Sequence, residues 1–368
     1  MAITSALVLP LRDHAQLKQR VSAFTEDRPA VYRMLDATGQ VIYVGKAKQL
    51  RTRIMSYFRA KAPDKAARIL LAADDIQWDY VPSEFAALLR ELREIKQHRP
   101  VYNSRIKRRR NVGFVKVSGG PAPKIYVGSR ASSGDVLHYG PFTQVGRLKD
   151  GIKELNDILG LRDCALDASI AFAEQRDLFE PERRAACLRY EIGTCLGPCA
   201  GLVTENDYHA KLHAAITFLE GRGVDPLNQV IEAMAHASDV QHFEVATRWR
   251  ERFEALTWLL GACAKAHATL EGLSFVYTDP GPFGDDRTYV IRRATVRASA
   301  PTPRSPIEHE AFRALVSEHV DSVPEPGPIP ADTIDETVLI MSWFRKHPGA
   351  LRRTVGLRDW LEQHPAHT

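Results

Sequence analysis

The sequence contains no apolar run of the roughly 20 residues that a membrane-spanning helix needs. The N-terminal patch AITSALVLPL is short, and it lacks the cationic start and the cleavage site of an export signal. We therefore expect a cytoplasmic protein without a membrane partner. With 368 residues, of which 44% are hydrophobic, the chain is long enough for two or three domains with buried cores.

Cysteine is scarce, but four of the five cysteines are grouped. They follow the pattern C-x22-C-x7-C-x3-C, whereas Cys263 stands apart and is expected to be an ordinary buried thiol. In the cytosol, grouped cysteines are more often metal ligands than disulfides. Spacing alone does not distinguish four-thiolate zinc from an iron–sulfur cluster, and unmetallated thiols remain an alternative. The candidate ligands are Cys164, Cys187, Cys195 and Cys199.

Acidic residues are absent from two stretches, although the net charge of the chain is only +5. Residues 40–63 carry six Lys or Arg and residues 95–134 carry ten, with no Asp or Glu in either. A short basic run is usually a solvated loop, but two such stretches around one candidate site favour binding to nucleic acid. The candidate DNA contacts are Lys48, Arg51, Arg105, Lys107, Arg108, Arg109 and Arg110.

The candidate site near these basic stretches begins at residue 30 with two short apolar runs, AVYRML and VIYV, joined by DATGQ. The pattern predicts a β-hairpin whose turn uses the conformational freedom of Gly39. A helix is expected next, because apolar residues recur at the spacing of one buried face, namely Leu50, Ile54, Tyr57 and Phe58.

Two tyrosines, Tyr32 and Tyr43, fall on the paired strands, and Lys46 follows the second strand. If the helix begins near Lys46, that residue and Arg53 share a face roughly 10 Å apart. Such a group could cleave a phosphodiester. The residues alone favour the structural alternative, a hairpin packed on a basic helix.

The order VY…YVGKAK…R resembles the GIY-YIG nuclease motif in the form found in the UvrC/Cho excinuclease family. Ala30 stands where that family usually has glycine, which we expect to affect strand packing more than chemistry. The remaining family elements follow in order: an arginine on the next helix, a glutamate on a later one, and an asparagine after R-P-x-Y. The residues that the resemblance implies for catalysis are Tyr32, Tyr43, Gly45, Lys46, Arg53, Glu91 and Asn103.

The resemblance also implies a role for each group. Glu91, on a helix expected from Ser83 to about His98, would bind Mg²⁺ or Mn²⁺. Arg53 would hold the scissile phosphate, Tyr43 would act as general base, and Tyr32 would orient its neighbours. The sequence does not decide which tyrosine is the base.

Two further segments resemble the same family. CLRYEIGTCLGPC resembles its cysteine segment, which is associated with a 4Fe-4S cluster. HFEVATRWRERFEALTWL resembles, more loosely, the UVR motif, a helical hairpin through which UvrC meets UvrB. A UvrB or UvrAB partner and a purely structural hairpin are both compatible with that segment.

Beyond about residue 268 the resemblance fades. LSFVYT and RTYVIRRATVRA predict two strands, and helices are expected at 307–320 and 333–346. We find no room for a second nuclease half or for helix-hairpin-helix repeats, which indicates a shorter, Cho-like arrangement.

We therefore expect an α+β protein in five parts. These are an N-terminal helix (1–26), a GIY-YIG nuclease domain (27–105), a linker with the cysteines (106–200), a helical UVR-like region (201–265) and an α+β C-terminal module of unknown role (266–368). The expected function is a metal-dependent endonuclease that makes one incision near DNA lesions in nucleotide excision repair. The alternatives are a GIY-YIG nuclease outside repair, of restriction or mobile-element type, and a non-cutting DNA-binding scaffold.

Overall fold

The computed structural model describes residues 14–103, 112–129, 134–175, 187–320 and 327–365. The fold within these ranges is α+β, as predicted, with three small antiparallel sheets connected by helices. No helix in the same ranges is both long and apolar enough to cross a membrane.

The first sheet contains the predicted hairpin. β1 (Ala30–Leu35) pairs with β2 (Val41–Ala47), and β3 (Asp75–Tyr80) adds to the other side of β1, giving the order β2-β1-β3. Gly39 adopts φ +80°, a conformation that glycine reaches without a steric penalty, and this closes the turn. The hairpin prediction is confirmed.

Four helices accompany this sheet: α1 (His14–Phe24), α2 (Leu50–Tyr57), α3 (Lys65–Ala72) and α4 (Glu84–His98). The expectation that a helix begins near Lys46 is wrong. β2 keeps its pairing with β1 as far as Ala47, so Lys46 lies on the strand and α2 begins at Leu50.

α4 follows the sequence prediction closely. Ser83 is its N-cap, with Oγ accepting from the backbone N–H of Ala86 at 3.0 Å. The helix ends where Arg99 takes a left-handed conformation, directly before Pro100. Because the following proline cannot continue the helix, the chain turns back towards the sheet at this point.

The second sheet consists of β4 (Gly113–Ser118), β5 (Ile125–Gly128) and β6 (Asp135–Phe142) in the order β5-β4-β6. One hydrophobic core joins it to the helices that follow, on both sides of residue 200. Those helices are α5 (Val145–Leu159), α7 (Glu205–Leu219), α8 (Asp225–Asp239) and α9 (Phe243–Glu271). The short helix α6 (Leu188–Glu191) buries none of its residues and contributes nothing to this core.

The predicted C-terminal module (266–368) begins within α9, which continues to Glu271, and it includes the third sheet, in the order β10-β7-β8-β9. Its strands are β7 (Phe275–Asp279), β8 (Arg287–Arg292), β9 (Thr295–Pro301) and β10 (Thr354–Gly356), and its helices are α10 (Pro306–Val320), α11 (Ile334–Lys346) and α12 (Leu357–Gln363).

The single strand expected for RTYVIRRATVRA is wrong. Arg293 and Ala294 both have positive φ, at 47° and 55°, and they form the two-residue turn of a hairpin between β8 and β9. Such turns are usually marked by Asn-Gly or Asp-Gly, and neither is present here.

α4 is packed on two sides. Ala87 lies with Val31 in a small core against the first sheet. Phe85 is fully buried on the other side, where it packs on Tyr277 and Trp343 of the C-terminal module. The apolar stripe that identified α4 in the sequence therefore faces the C-terminal module, except at Ile95, which packs in the core against the first sheet.

Candidate active site

Three tyrosine rings meet between the first sheet and α2. Tyr32 comes from β1, Tyr43 from β2 and Tyr57 from α2, with ring centroids 6.1 to 6.2 Å apart. The hydroxyls of Tyr32 and Tyr57 are 2.9 Å apart, and Tyr57 also hydrogen-bonds the side chain of Tyr43. Tyr32 and Tyr57 are buried whereas Tyr43 is half-buried, so Tyr43 is the member of this trio that reaches solvent.

Burial makes the hydroxyls of Tyr32 and Tyr57 harder to ionise than the hydroxyl of an ordinary tyrosine. Burial, and then the neighbouring tyrosines, raises the pKa of Tyr57 far above its usual value. Burial also raises the pKa of Tyr32, although hydrogen bonding to Tyr57 and the charge of Arg53 partly oppose this. Both hydroxyls therefore remain protonated at neutral pH.

Two members of this group escaped the sequence analysis. Tyr57 was assigned only to the buried face of α2, yet it follows Arg53 by four residues and so lies one helical turn away on the same side. Lys65, at the start of α3, places Nζ 5.7 Å from the ring centroid of Tyr43. No motif marked Lys65, because its approach depends on how α3 packs.

Arg53 lies on the exposed side of α2, next to the tyrosines. Its guanidinium carbon is 5.3 Å from the ring centroid of Tyr57, and its side chain hydrogen-bonds Tyr32. The neighbouring Tyr32, ahead of the other tyrosines, raises the pKa of Arg53 further. The stack pre-orients a permanently charged fork that can bind a phosphate through two oxygens.

Gly45 leaves space for the tyrosines. A Cβ at this position would lie 2.5 Å from Oη of Tyr32 and 2.9 Å from Cε1 of Tyr43. Because one ring is buried and both are rigid, neither can move aside easily. The glycine is thus required by the close approach of the two rings.

The side chain of Lys46 pairs with Glu84, a carboxylate that the sequence analysis did not assign to the site. Its Nζ lies 3.3 Å from Oε1 of Glu84, while Nζ of Lys48 lies 2.6 Å from Oε2 of the same residue. Although partial burial opposes it, the two lysines lower the pKa of Glu84. Glu84 precedes Glu91 by seven residues, nearly two helical turns, which was the available signal.

Glu91 lies on α4 beside the same strand. Its carboxylate accepts a hydrogen bond from the backbone N–H of Lys46 and lies within the electrostatic influence of Lys46 and Arg53. Burial raises its pKa despite these cations. A partly buried carboxylate whose charge is incompletely compensated fits a cation ligand. Magnesium commonly takes one or two protein carboxylates and completes its octahedron with water and phosphate oxygens.

Asn103 holds the backbone of β2. Its Oδ1 accepts from the N–H of Val44, and its Nδ2 donates to the carbonyl of Val44, both at 2.8 Å. β2 is an edge strand of the described sheet, so this pair of bonds replaces a missing strand partner. Val44 lies between Tyr43 and Gly45 in the sequence, so the contact ties Asn103 to the part of β2 that carries both residues.

The predicted DNA contacts are only partly within the described residues. Lys48 and Arg51 are exposed near α2, with Lys48 paired to Glu84. Five others lie outside the described residues: Arg105, Lys107, Arg108, Arg109 and Arg110.

The four grouped cysteines influence one another. Burial raises the pKa of Cys195, and the neighbouring Cys187 and Cys199 add to it. Cys199 is influenced in the same way by Cys187 and Cys164. Nevertheless, no three His, Cys, Asp or Glu side chains in the described part of the chain are arranged to hold one metal ion. Cys263 is buried apart from them, as expected.

The UVR-like segment (242–259) does not form a hairpin by itself, because all but its first residue lies in the single helix α9. α9 forms a helical hairpin with the preceding helix α8, and the chain turns at Gln241. Apolar side chains are exposed near this turn, with Val240 at 46%, Phe243 at 65% and Val245 at 41%. The same helices bury Val230 and Leu256 in the shared core at the other end. The hairpin is thus anchored at its base and presents an apolar tip.

Comparison with known families places two regions of the chain. Residues 28–104 match the UvrC-like GIY-YIG domain, and residues 114–218 match the middle domain of UvrC/Cho excinucleases. Hence the three-tyrosine site lies in a domain of the GIY-YIG class. Through these two adjoining domains, the chain belongs to the UvrC/Cho excinuclease family.

Individual relatives agree with this placement. UvrABC system protein C of Bdellovibrio bacteriovorus is 30% identical over 286 residues, which span 77% of this chain and 43% of the relative. The protein of the same name from Syntrophomonas wolfei is 34% identical over 235 residues, which span 63% of this chain and 37% of the relative. The chain thus spans about two-fifths of the length of these curated relatives.

Among solved structures, the GIY-YIG N-terminal endonuclease domain of UvrC from Thermotoga maritima is 34% identical. The match covers 23% of this chain and 94% of that domain, with a TM-score of 0.22. That domain was solved with magnesium as its catalytic divalent cation.

Proposed function

We propose that this protein is a divalent-metal-dependent DNA endonuclease that makes one incision near lesions in nucleotide excision repair. The observation that carries the proposal is the convergence of Tyr43, Arg53 and Glu91 around Gly45. One side chain able to take a proton, one phosphate-binding cation and one partly buried carboxylate thereby share a single surface. The nuclease domain would correspond to residues 27–105.

Tyr43 is the proposed general base. A free phenol titrates near pH 10, so an inner tyrosine whose pKa is raised further by burial is a poorer base at neutral pH. Tyr43 reaches solvent, and Nζ of Lys65 lies 5.7 Å from the centroid of its ring. To act as a base, Tyr43 would first release its own phenol proton to solvent and then take a proton from the attacking water. Tyr57, which stays protonated and is bonded to both other hydroxyls, can orient Tyr43 for this step.

Arg53 and Lys46 are the proposed electrostatic partners of the scissile phosphate. Arg53 is already fixed by its stack on Tyr57, so little side-chain entropy is lost when it binds an oxygen. Glu91 would hold Mg²⁺ or Mn²⁺, which supplies stabilisation of the charge that develops on phosphate and leaving oxygen. Lys46 contacts both carboxylates of α4, since its backbone N–H donates to Glu91 while its side chain pairs with Glu84.

The basic residues 105–110 are proposed to bind the DNA backbone together with Lys48 and Arg51. Neutralising Lys107 to Arg110 with glutamine should weaken duplex binding and reduce the slope of log K against log salt by about 1 for each phosphate that the protein no longer neutralises. The double change Arg345→Gln and Lys346→Gln, at the exposed end of α11, is the matched control. An unchanged slope in the 107–110 variant would show that this run does not touch phosphate.

The exposed tip of the α8–α9 hairpin is the proposed contact for a UvrB-type partner. Val240, Phe243 and Val245 give it an apolar surface, while α9 anchors it to the main core. Such a contact would deliver the nuclease to a lesion, since base-independent phosphate binding cannot select one.

A thiolate cluster at Cys164, Cys187, Cys195 and Cys199 is the proposed second metal site. The proposal rests on the grouping of the four cysteines in the sequence and on two neighbouring arginines, although in the described part of the chain the thiols are not arranged to hold one metal ion. Nη1 of Arg162 lies 3.2 Å from Sγ of Cys164, and the charge of Arg189 partly opposes the burial that raises the pKa of Cys195. The resemblance favours 4Fe-4S over zinc.

Replacing Cys195 with serine should then remove a broad absorbance near about 400 nm from protein purified without air. Cys263→Ser, which removes the isolated buried thiol, should leave that absorbance unchanged. A colourless wild-type protein that contains zinc would contradict the iron–sulfur assignment.

The function is tested by nicking of a lesion-containing duplex in Mg²⁺ or Mn²⁺, with and without UvrA and UvrB. One nick at a fixed distance from the lesion that requires those partners is the expected result. Sequence-specific cutting of undamaged DNA would indicate a nuclease outside repair. Tight binding without cleavage in either metal would indicate a scaffold.

A further inference from the structure

We propose that the C-terminal module positions the catalytic helix α4, with Asp279 as the residue that fixes the start of that helix. This inference rests on the proposed nuclease function, because it concerns the helix that carries Glu84 and Glu91. Both family matches end before this module, at residues 104 and 218.

Asp279, at the end of β7, holds the N-cap of α4. One of its carboxylate oxygens accepts a hydrogen bond from Oγ of Ser83, and the other accepts from the hydroxyl of Tyr277 at 2.8 Å. Oγ of Ser83 in turn accepts from the backbone N–H of Ala86. The carboxylate is buried, and this burial raises the pKa of Asp279 although the hydrogen bonds from Ser83 and Tyr277 oppose the shift.

An aromatic cluster secures the next turn of the helix. Phe85 is fully buried, with ring centroids 5.3 Å from Tyr277, 5.1 Å from Tyr289 and 5.3 Å from Trp343. Two of these contacts are edge-to-face, the geometry that aromatic pairs prefer. Leu89, one turn further on, lies in the same core.

Two contacts outside this core extend the attachment. Lys96, near the end of α4, donates to the carbonyl of Asp332. Arg28, just before β1, stacks 4.1 Å from the ring centroid of Phe283 and lies 3.5 Å from Asp285. The module therefore touches α4 near both ends and also holds the chain that enters the nuclease sheet.

The path from Asp279 to the metal-binding carboxylate is short. Ser83 is followed by Glu84, which pairs with Lys46, and the backbone N–H of Lys46 donates to Glu91. Loss of the N-cap contact would free the first turn of α4 and loosen Glu84. Glu91 would then lose part of the frame that aims its carboxylate.

The test measures Mn²⁺ binding to the full chain by electron paramagnetic resonance, without any DNA. Asp279→Ala should raise the dissociation constant about tenfold, the lower end of the range for removing outer-shell supports. Asp359→Asn, an exposed aspartate on α12 of the same module, should leave it unchanged. Hydrogen exchange of the amides of residues 84–91 should accelerate in the first variant, while that of β1 should not.

Wild-type Mn²⁺ affinity in Asp279→Ala would overturn the positioning role while leaving the proposed metal site intact. If Asp279→Ala does not fold, Asp279→Leu, which keeps about the same side-chain volume but cannot accept from Oγ of Ser83, is measured instead, and an unchanged affinity there has the same meaning. A wild-type protein whose Mn²⁺ binding is not reduced by Glu91→Gln would overturn the proposed metal site, and this inference with it.

Discussion

Glu91→Gln should abolish metal-dependent nicking while leaving duplex binding nearly unchanged. Glutamine keeps the length of the side chain and an oxygen that can accept from the backbone N–H of Lys46. It removes the charge that would hold the cation. A bound metal ion supplies several kcal/mol of transition-state stabilisation. Losing about 4 kcal/mol of it would lower the rate about 10³-fold.

The same variant should not be less stable than the wild type in the absence of metal. Burial raises the pKa of Glu91, which means that the fold disfavours its ionised form relative to the unfolded chain. A neutral amide relieves that unfavourable burial, so the denaturation midpoint at neutral pH should stay equal or rise.

Glu251→Gln, on the exposed surface of α9, is the control for any general effect of losing one negative charge. Nicking at the wild-type rate by Glu91→Gln would exclude Glu91 as the metal ligand. A variant that is both inactive and unstable would identify Glu91 as a structural residue.

Local periodicity predicted much of the nuclease domain. Ser83, the apolar residues from Phe85 to Ile95 and Pro100 mark the beginning, face and end of α4, and the structure confirms that helix. The hairpin was equally visible, because two β-branched runs flank a turn that contains Gly39. Each of these signals lies, along the sequence, within a few residues of the helix or turn that it specifies.

Contacts between distant parts of the chain were not predictable in this way. The stripe on α4 showed that one face would be buried, but not that the C-terminal module covers it. Glu84 and Tyr57 each had a local signal at helical spacing, yet their partners, Lys46 and Tyr32, lie on separate strands. The Arg293-Ala294 turn has no glycine that would mark it in the sequence. Its positive φ angles are imposed by the pairing of β8 with β9.

The contacts of Asn103 indicate how this predicted site residue would act. The resemblance implied a place among the catalytic residues, and the structure puts its amide on both polar groups of Val44. An asparagine that completes the edge of β2 affects chemistry by fixing the strand that carries Tyr43. We therefore interpret it as a positioning residue.

Tyr43→Phe should reduce the nicking rate by about 10²- to 10⁴-fold, the usual contribution of a positioned general base. The ring that packs beside Tyr32 and Gly45 is retained, so folding and DNA binding should change little. Single-turnover nicking at saturating metal measures this effect without a contribution from product release.

The matched control is Tyr57→Phe, which removes a hydroxyl from the same trio. That hydroxyl lies 2.9 Å from the hydroxyl of Tyr32, so its loss should lower the free energy of unfolding by about 1 kcal/mol and slow nicking less than Tyr43→Phe. The reverse order, with Tyr57→Phe the slower nuclease and Tyr43→Phe nearly normal, would move the general base to Tyr57. It would also require some other group to lower the raised pKa of that buried phenol.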